Sequence, residues 1–168
     1  GPNLTVFAPT DAAFQAKLTD TITKVLISLG TDPVTAAAQA AALASTPGVF
    51  SNPLLYSILT PQVVKGIVVY HVLGNRAFTN NLPTTNTFYP TLLNGVIAAH
   101  PGLDIKATFG GLPAFPFVTG ATVKGLKNAT DANIVINATP LIPDPAGTSD
   151  QHFINGSLHK IDQVLLPL

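Results

Sequence analysis

The sequence predicts a single α+β domain, because helix signals fill its first half and strand signals fill its second half. A capping residue followed by proline starts a helix at Asp32 and another at Thr60. Two Asn-Gly pairs, at Asn94 and at Asn155, each stand between apolar runs and favour β-hairpins. A chain of 168 residues has the length of one domain with its own core, so we expect residues 1–168 to form it.

Caps, breakers and apolar residues spaced by three and four predict the helices. Thr10 is the expected N-cap of the first helix, and Asp11 in its first turn suits the positive end of the helix dipole. Gly74 is the expected C-cap of the last helix. The apolar face of that last helix carries His71 among valines and an isoleucine. The predicted helical stretches are 11–18, 20–29, 33–44, 54–59 and 61–73.

Strands are predicted at both ends and through the second half, where β-branched residues alternate with turn residues. The expected strands are 4–7, 119–126, 134–136 and the two flanks of each Asn-Gly turn. Two stretches rich in Gly and Pro, 110–116 and 140–147, are interpreted as loops. Phe109, Phe115 and Phe117 around the first loop have two interpretations: an exposed contact for a partner or a lipid, or aromatic rings that turn inward and fix the loop to the core. We expect the inward placement.

The composition excludes several classes of protein. Eight basic residues balance eight acidic ones and no basic cluster occurs, so a nucleic-acid partner is not expected. There is no cysteine, which excludes disulfides, thiolate metal sites and cysteine nucleophiles. No apolar run approaches the ~18 residues of a membrane span, so this chain should contain no transmembrane segment. Only 10% of the residues are charged, which predicts a surface of Thr, Asn and Ser.

A search for catalytic motifs predicts no enzyme. The chain has neither a Gly-x-Ser-x-Gly elbow nor a glycine-rich phosphate loop, and it contains no glutamate for a His-Glu-x-x-His site. His152 and His159 flank a predicted turn, but two ligands do not make a metal site, and His159 is interpreted as an exposed strand residue. His71 lies on an apolar helix face, which predicts a buried, hydrogen-bonded histidine. We expect no catalytic residue, metal or cofactor.

Three segments together resemble the fasciclin-like domain family. Residues 5–14, with the sequence TVFAPTDAAF, are similar to the N-terminal signature block of that family. Residues 70–73, YHVL, are similar to its central Tyr-His motif, and residues 155–167, NGSLHKIDQVLLP, are similar to its C-terminal block. The three segments occur in the family's order and frame nearly the whole chain.

The resemblance implies a wedge-shaped β-sandwich with helices packed on it, and an adhesion or matrix-binding role. It makes Tyr70 and His71 the candidates for an adhesion motif. We expect Phe7 and Phe14 to point into one core. A hydrogen bond from His71 to a group in the first segment, such as Thr10 or Asp11, would fit both a buried His71 and a role in the motif. The signature residues of the fold are Thr5, Phe7, Thr10, Asp11, Phe14, His159 and Asp162.

The chain departs from the family in two places. Only four residues precede Thr5, where family domains carry a helical segment. Loss of that segment should expose an apolar groove, which a neighbouring molecule could fill. The stretch around 30–52 is longer than the family's, so we expect an enlarged helical part there.

The sequence favours a non-catalytic adhesion or binding module of a secreted or surface-anchored protein, for example a lipoprotein. We expect a protein or glycan partner outside the cell, or a second copy of the chain. The expected location is the cell surface, the extracellular space or the periplasm, and the composition favours a bacterial source. Three alternatives stay open: a structural spacer, a hydrolase with two hidden aspartates, and pH-responsive adhesion through His71 or His159.

Overall fold

A computed structural model describes residues 3–137 and 147–168. The predicted loop 140–147 therefore lies outside the described residues, except for Gly147. Four α-helices occur in the described part of the chain: α1 Asp11–Ser28, α2 Pro33–Ala44, α3 Pro53–Tyr56 and α4 Pro61–Tyr70. Its strands are β1 Leu4–Pro9, β2 Val72–Leu73, β3 Thr87–Tyr89, β4 Leu103–Leu112, β5 Phe115–Lys124, β6 Ala132–Asn133, β7 Gln151–Phe153 and β8 Gly156–Ile161.

The strands form two four-stranded sheets. The first sheet has the order β2-β1-β8-β7 and the second has the order β3-β4-β5-β6. In the first sheet, β1 and β8 run parallel over six residue pairs, from Leu4↔Gly156 to Pro9↔Ile161. Strands β1 and β8, near the two ends of the chain, are therefore hydrogen-bonded neighbours. The mixed α+β class is as predicted.

One core cluster draws side chains from both sheets. Phe7, Leu73 and Ile161 of the first sheet are in it with Ile105 and Val123 of the second sheet, and all five are fully buried. A second cluster lies among α1, α2 and α3, where Ile22 and Leu55 are its most deeply buried members apart from alanine. The helical part of the chain thus has a small core of its own.

Helix α1 is one continuous helix where two were predicted. Thr10 caps it as expected, its hydroxyl accepting from the Ala13 N–H at 3.2 Å. The predicted break at Thr19 and Asp20 does not occur. Within the continuous helix the Thr19 hydroxyl donates to the Gln15 carbonyl at 2.8 Å, and Asp20 pairs with Lys24 at 2.9 Å. The preference of these two residues for caps gives way to i,i+4 bonding inside a helix packed against α2.

Helix α4 ends at Tyr70, three residues before the predicted end. Val72 and Leu73 leave the helix and pair with Val6 and Thr5 as strand β2. Gly74 therefore is not a helix cap. The local apolar spacing continues through Leu73, but pairing with the edge of β1 decides the conformation.

The two Asn-Gly pairs have different structures. Asn155 lies in a β-hairpin between β7 and β8 as predicted, although the two turn residues are Ile154 and Asn155. Gly156 is already in β8, where an added Cβ would collide with the Leu4 carbonyl. Asn94 makes no hairpin; its side chain accepts from the Thr91 N–H at 2.9 Å and closes a capping box on a single 3₁₀ turn, Leu92–Gly95.

The predicted loop 110–116 is a β-hairpin joining β4 to β5. Phe109 packs against the core, but Phe115 and Phe117 do not, so the expectation that all three turn inward is wrong for those two. In place of the strand predicted at 134–136, the structure has a shorter strand that begins two residues earlier. It is β6 with Ile134 following as an isolated bridge to Ile161.

Candidate binding surfaces

The Tyr70-His71 motif is buried rather than displayed. Tyr70 is fully enclosed; its hydroxyl donates to the Gly102 carbonyl at 2.8 Å and accepts from the Leu126 N–H at 3.0 Å. Burial raises the pKa of this phenol, so it stays protonated and able to donate. The side chain thus ties α4 to two loops of the second half and offers no atom to an external partner.

His71 joins the three segments that carry the family resemblance. Its Nδ1 donates to the Ile67 carbonyl at 2.7 Å, and its Nε2 accepts from the Leu165 N–H at 2.9 Å. Its own carbonyl accepts from the Phe7 N–H at 2.9 Å. His71 is therefore hydrogen-bonded to the first segment through its main chain, and not through its side chain to Thr10 or Asp11.

The neutral form of His71 satisfies both of these bonds, with one ring nitrogen as donor and the other as acceptor. Burial lowers its pKa, which favours that neutral form. Protonation would leave the Leu165 N–H without an acceptor. The arrangement is that of a structural histidine, as the apolar spacing of α4 predicts.

His159 is also fully buried, which corrects its interpretation as an exposed strand residue. Its Nε2 donates to the Ala77 carbonyl at 2.9 Å, and its Nδ1 accepts from the Asp150 N–H at 3.1 Å. Burial lowers its pKa, and the Asp150 carboxylate 3.8 Å from Nδ1 opposes that shift. Parallel pairing with β1 places this position in the interior, and nothing in the local sequence indicates it.

His152 and His159 do not meet across the β7–β8 turn. His152 pairs with Ser157, and its exposed ring lies 4.6 Å from that of Phe78. Residues 3–137 and 147–168 contain no group of three acidic or histidine side chains placed to hold a metal ion. None of the helices in those ranges has the length and apolar character that a membrane crossing requires.

Two of the remaining signature residues, Thr5 and Asp162, join separate parts of the chain. Thr5 is buried and its hydroxyl donates to the Asn75 carbonyl while accepting from the Ala77 N–H at 2.7 Å. Asp162 accepts from both the backbone and the side-chain amide of Asn133, at 2.7 and 2.8 Å. Asp11 lies exposed in the first turn of α1. These contacts support the fold and create no reactive group.

Phe14 differs from Phe7, the other aromatic signature residue, since 43% of it is exposed and it is not in either core cluster. The expectation that it shares a core with Phe7 is wrong. It lies instead on an apolar groove of about 390 Å³ whose walls are β1, α1, α4, Phe50 and the C-terminal residues Val164 and Leu166. The predicted apolar face of α4, including Val64 and Val68, lines this groove and is largely exposed to solvent.

A second apolar surface is the hairpin tip, defined here as Leu112, Phe115 and Phe117. Leu112 is 70% exposed and Phe115 is 77% exposed. The neighbouring strands β3 and β6 pair only with the base of the hairpin, up to Ile105 and from Thr122. Beyond that base no other strand of the described ranges pairs with β4 or β5, so the hairpin projects.

Sequence reasoning expected an exposed apolar groove without locating it, and it preferred an inward placement for the phenylalanines of the hairpin tip. The groove forms only when the fold brings Phe14, Phe50 and α4 together, and no local sequence pattern predicts this arrangement. A usable signal did exist for the hairpin tip, because no charged residue occurs between Lys106 and Lys124 while three phenylalanines do. Such a stretch in a charge-poor chain is as compatible with an exposed contact surface as with a core.

No protein-family model matches this chain, and no curated protein matches it. Among solved structures, it is similar to a FAS1 domain pair from the insect cell adhesion molecule fasciclin I, with a TM-score of 0.46 and 14% sequence identity. The match covers 97% of this chain and 36% of that chain, so this chain spans about a third of the length of the domain pair.

Proposed function

We propose that this chain is a single fasciclin-like domain that acts as a non-catalytic adhesion module outside the cytoplasm and contacts a protein partner through the hairpin tip. The observation that carries the function is the exposure of Leu112 and Phe115 on a projecting hairpin whose tip carries no charge. Exposure of large apolar side chains to water is unfavourable, and contiguous exposed apolar surface is typical of contact sites. Aromatic residues are prominent among the anchors of protein interfaces.

The assignment to the family is supported by the way its three sequence segments meet. Phe7, His71 and Leu165 each come from a different segment. His71 accepts hydrogen bonds from the backbone N–H groups of both Phe7 and Leu165. The wedge-shaped sandwich is supported by the core cluster that both sheets share. The enlarged helical part is supported by α2 and the 3₁₀ turn Val49–Ser51, which occupy the stretch around 30–52.

A location at the surface of a bacterial cell fits a chain with no cysteine and few charges. The zero net charge also permits copies of the domain to approach each other, since little long-range repulsion opposes contact. A second copy of the domain is therefore the first protein partner to test, and a matrix protein is the next.

A spacer role is the second candidate, and the burial of the Tyr70-His71 motif favours it. If the motif serves only the fold, the domain could position other modules without binding anything itself. The two roles differ in whether the hairpin tip contributes to adhesion.

The test uses beads coated with the domain, in suspension and on surfaces coated with matrix proteins. The tip variant, Leu112→Ser with Phe115→Ser, replaces the two most exposed apolar side chains of the hairpin tip. The control variant is Leu29→Ser with Val34→Ser, because Leu29 and Val34 are 70% and 80% exposed on the helical part. We expect the tip variant to lose adhesion and the control to retain it. Adhesion no greater than that of albumin-coated beads for the unaltered domain would overturn the proposal and favour the spacer.

A further inference from the structure

The apolar groove between β1, α1 and α4 is nearly uniform in chemistry, with one charged exception. Its wall contains Phe14, Phe50, Val64 and Val68, all of which are exposed large hydrophobic residues. Among the residues that the structure describes, Lys17 is the only charged side chain that lines the groove, and no acidic one does. Its volume of about 390 Å³ lies in the range of roughly 300–1,000 Å³ that is typical of small-molecule sites.

The ammonium group of Lys17 is available to a ligand. It pairs with Asp20 at 3.3 Å on the exposed side of α1, and Lys24 holds the same carboxylate oxygen at the shorter distance of 2.9 Å. Exposed pairs of this kind contribute little to stability. Asp20 therefore keeps a partner when Lys17 turns to the groove, and the aliphatic part of the lysine can stay along the apolar wall.

Thr21 supplies a second polar group one helical turn further on. It lies four residues after Lys17, on the same face of α1, and also lines the groove. The hydroxyls of Thr19 and Thr23 donate to carbonyls within the helix. The Thr21 hydroxyl has no hydrogen-bond partner within residues 3–137 and 147–168.

The other polar side chain on the wall cannot serve a head group, because both ring nitrogens of His71 are already bonded to Ile67 and Leu165. In the described part of the chain, the polar side-chain groups that the groove can offer a ligand are therefore one ammonium and one hydroxyl. This combination matches an anionic, hydrogen-bond-accepting head attached to an apolar body.

We propose that the groove binds one molecule of a free single-chain anionic amphiphile, an alkyl carboxylate, with its hydrocarbon chain along Phe14, Val64 and Val68 and its carboxylate at Lys17 and Thr21. This activity is separate from the proposed adhesion, since the hairpin tip contributes no residue to the groove. Failure of one proposal leaves the other standing.

Dodecanoate, titrated calorimetrically below its micelle-forming concentration, is the probe. We expect saturable one-to-one binding, and weaker binding of dodecyltrimethylammonium, which has the same chain and a cationic head. Lys17→Gln should raise the Kd for dodecanoate about fivefold, the upper end for an exposed charge pair. Lys65→Gln is the matched control, because Lys65 is exposed on α4, does not line the groove and takes no part in the pairing of Asp20, so the Kd of that variant should be unchanged.

A second pair of variants tests the apolar wall. Val68→Asp places a carboxylate in the groove and should abolish binding, whereas Val63→Asp on the same helix lies outside the groove and should retain it. Both valines are substantially exposed, so both variants should melt near the temperature of the unaltered domain. Equal affinity for the two probes would overturn the proposal, and so would equal effects of the two lysine variants. A domain that does not bind dodecanoate and instead forms a dimer, which Val68→Asp dissociates, would also overturn it.

Discussion

Phe7 and Phe14 bracket the same strand-to-helix turn, yet they should differ sharply when each is replaced by alanine. Phe7 is fully buried in the cluster shared by the two sheets, and its ring centroid lies 5.8 Å from that of His159. Phe7→Ala should reduce the free energy of unfolding by about 3–5 kcal/mol, as removal of a buried phenylalanine does. That is a large part of the ~5–15 kcal/mol that stabilises an ordinary domain.

Phe14→Ala should cost about 1 kcal/mol, as is usual for a residue outside the core. The ring is 43% exposed and borders an open groove, so its removal leaves a space that water can enter rather than a closed cavity. With a shift of roughly 2–4 °C per kcal/mol for a domain of this size, Phe7→Ala should lower the Tm by about 6–20 °C and Phe14→Ala by about 2–4 °C.

Urea denaturation followed by far-ultraviolet circular dichroism measures both variants. The denaturant slope should stay constant while the midpoint falls, which identifies a change of stability rather than of the compactness of either state. Equal losses for the two variants would refute the reasoning, because they would mean that Phe14 has closed, core-like surroundings.

The remaining predictions concern the buried polar groups. Tyr70→Phe should cost about 1–3 kcal/mol in urea denaturation, because the Gly102 carbonyl and the Leu126 N–H both lose their partner in the interior; no change would show that water replaces the hydroxyl. Burial holds the pKa values of His71 and His159 below 6.5 in the folded state, so the unfolded chain binds more protons as the pH falls. Stability should therefore be complete above about pH 7 and decline as the pH falls through 6.5 toward the folded pKa values, by up to about 1.4 kcal/mol per pH unit for each histidine. Urea midpoints that are flat between pH 7.5 and 5 would contradict this.

Local signals in the sequence predict the helix starts well. Asp32 and Thr60 each accept from backbone N–H groups of the first turn, as a capping residue before proline should. These features succeed because the physics of a cap is complete within about four residues. The three family-like segments likewise identify residues that meet in space, with His71 at their junction.

Predictions fail where a distant part of the chain decides. His159 is buried because β8 pairs in parallel with β1, more than 140 residues earlier in the chain. Asn94-Gly95 has the composition of a hairpin turn, but its flanking apolar residues pack as a 3₁₀ turn instead of pairing. Phe14 has the spacing of a core residue and lies on a groove. In each case the local preference is weak beside tertiary packing, which the sequence pattern does not contain.

The most direct test of the proposed adhesive surface compares Phe115→Ser with His71→Ala in the bead assay, with adhesion normalised to the folded fraction of each variant. We predict that Phe115→Ser lowers adhesion without changing the melting temperature, because its ring is exposed on the hairpin tip. His71→Ala should lower the melting temperature and leave the normalised adhesion unchanged, because its ring nitrogens serve only internal bonds. The reverse pattern, with normalised adhesion lost in His71→Ala and intact in Phe115→Ser, would contradict the account.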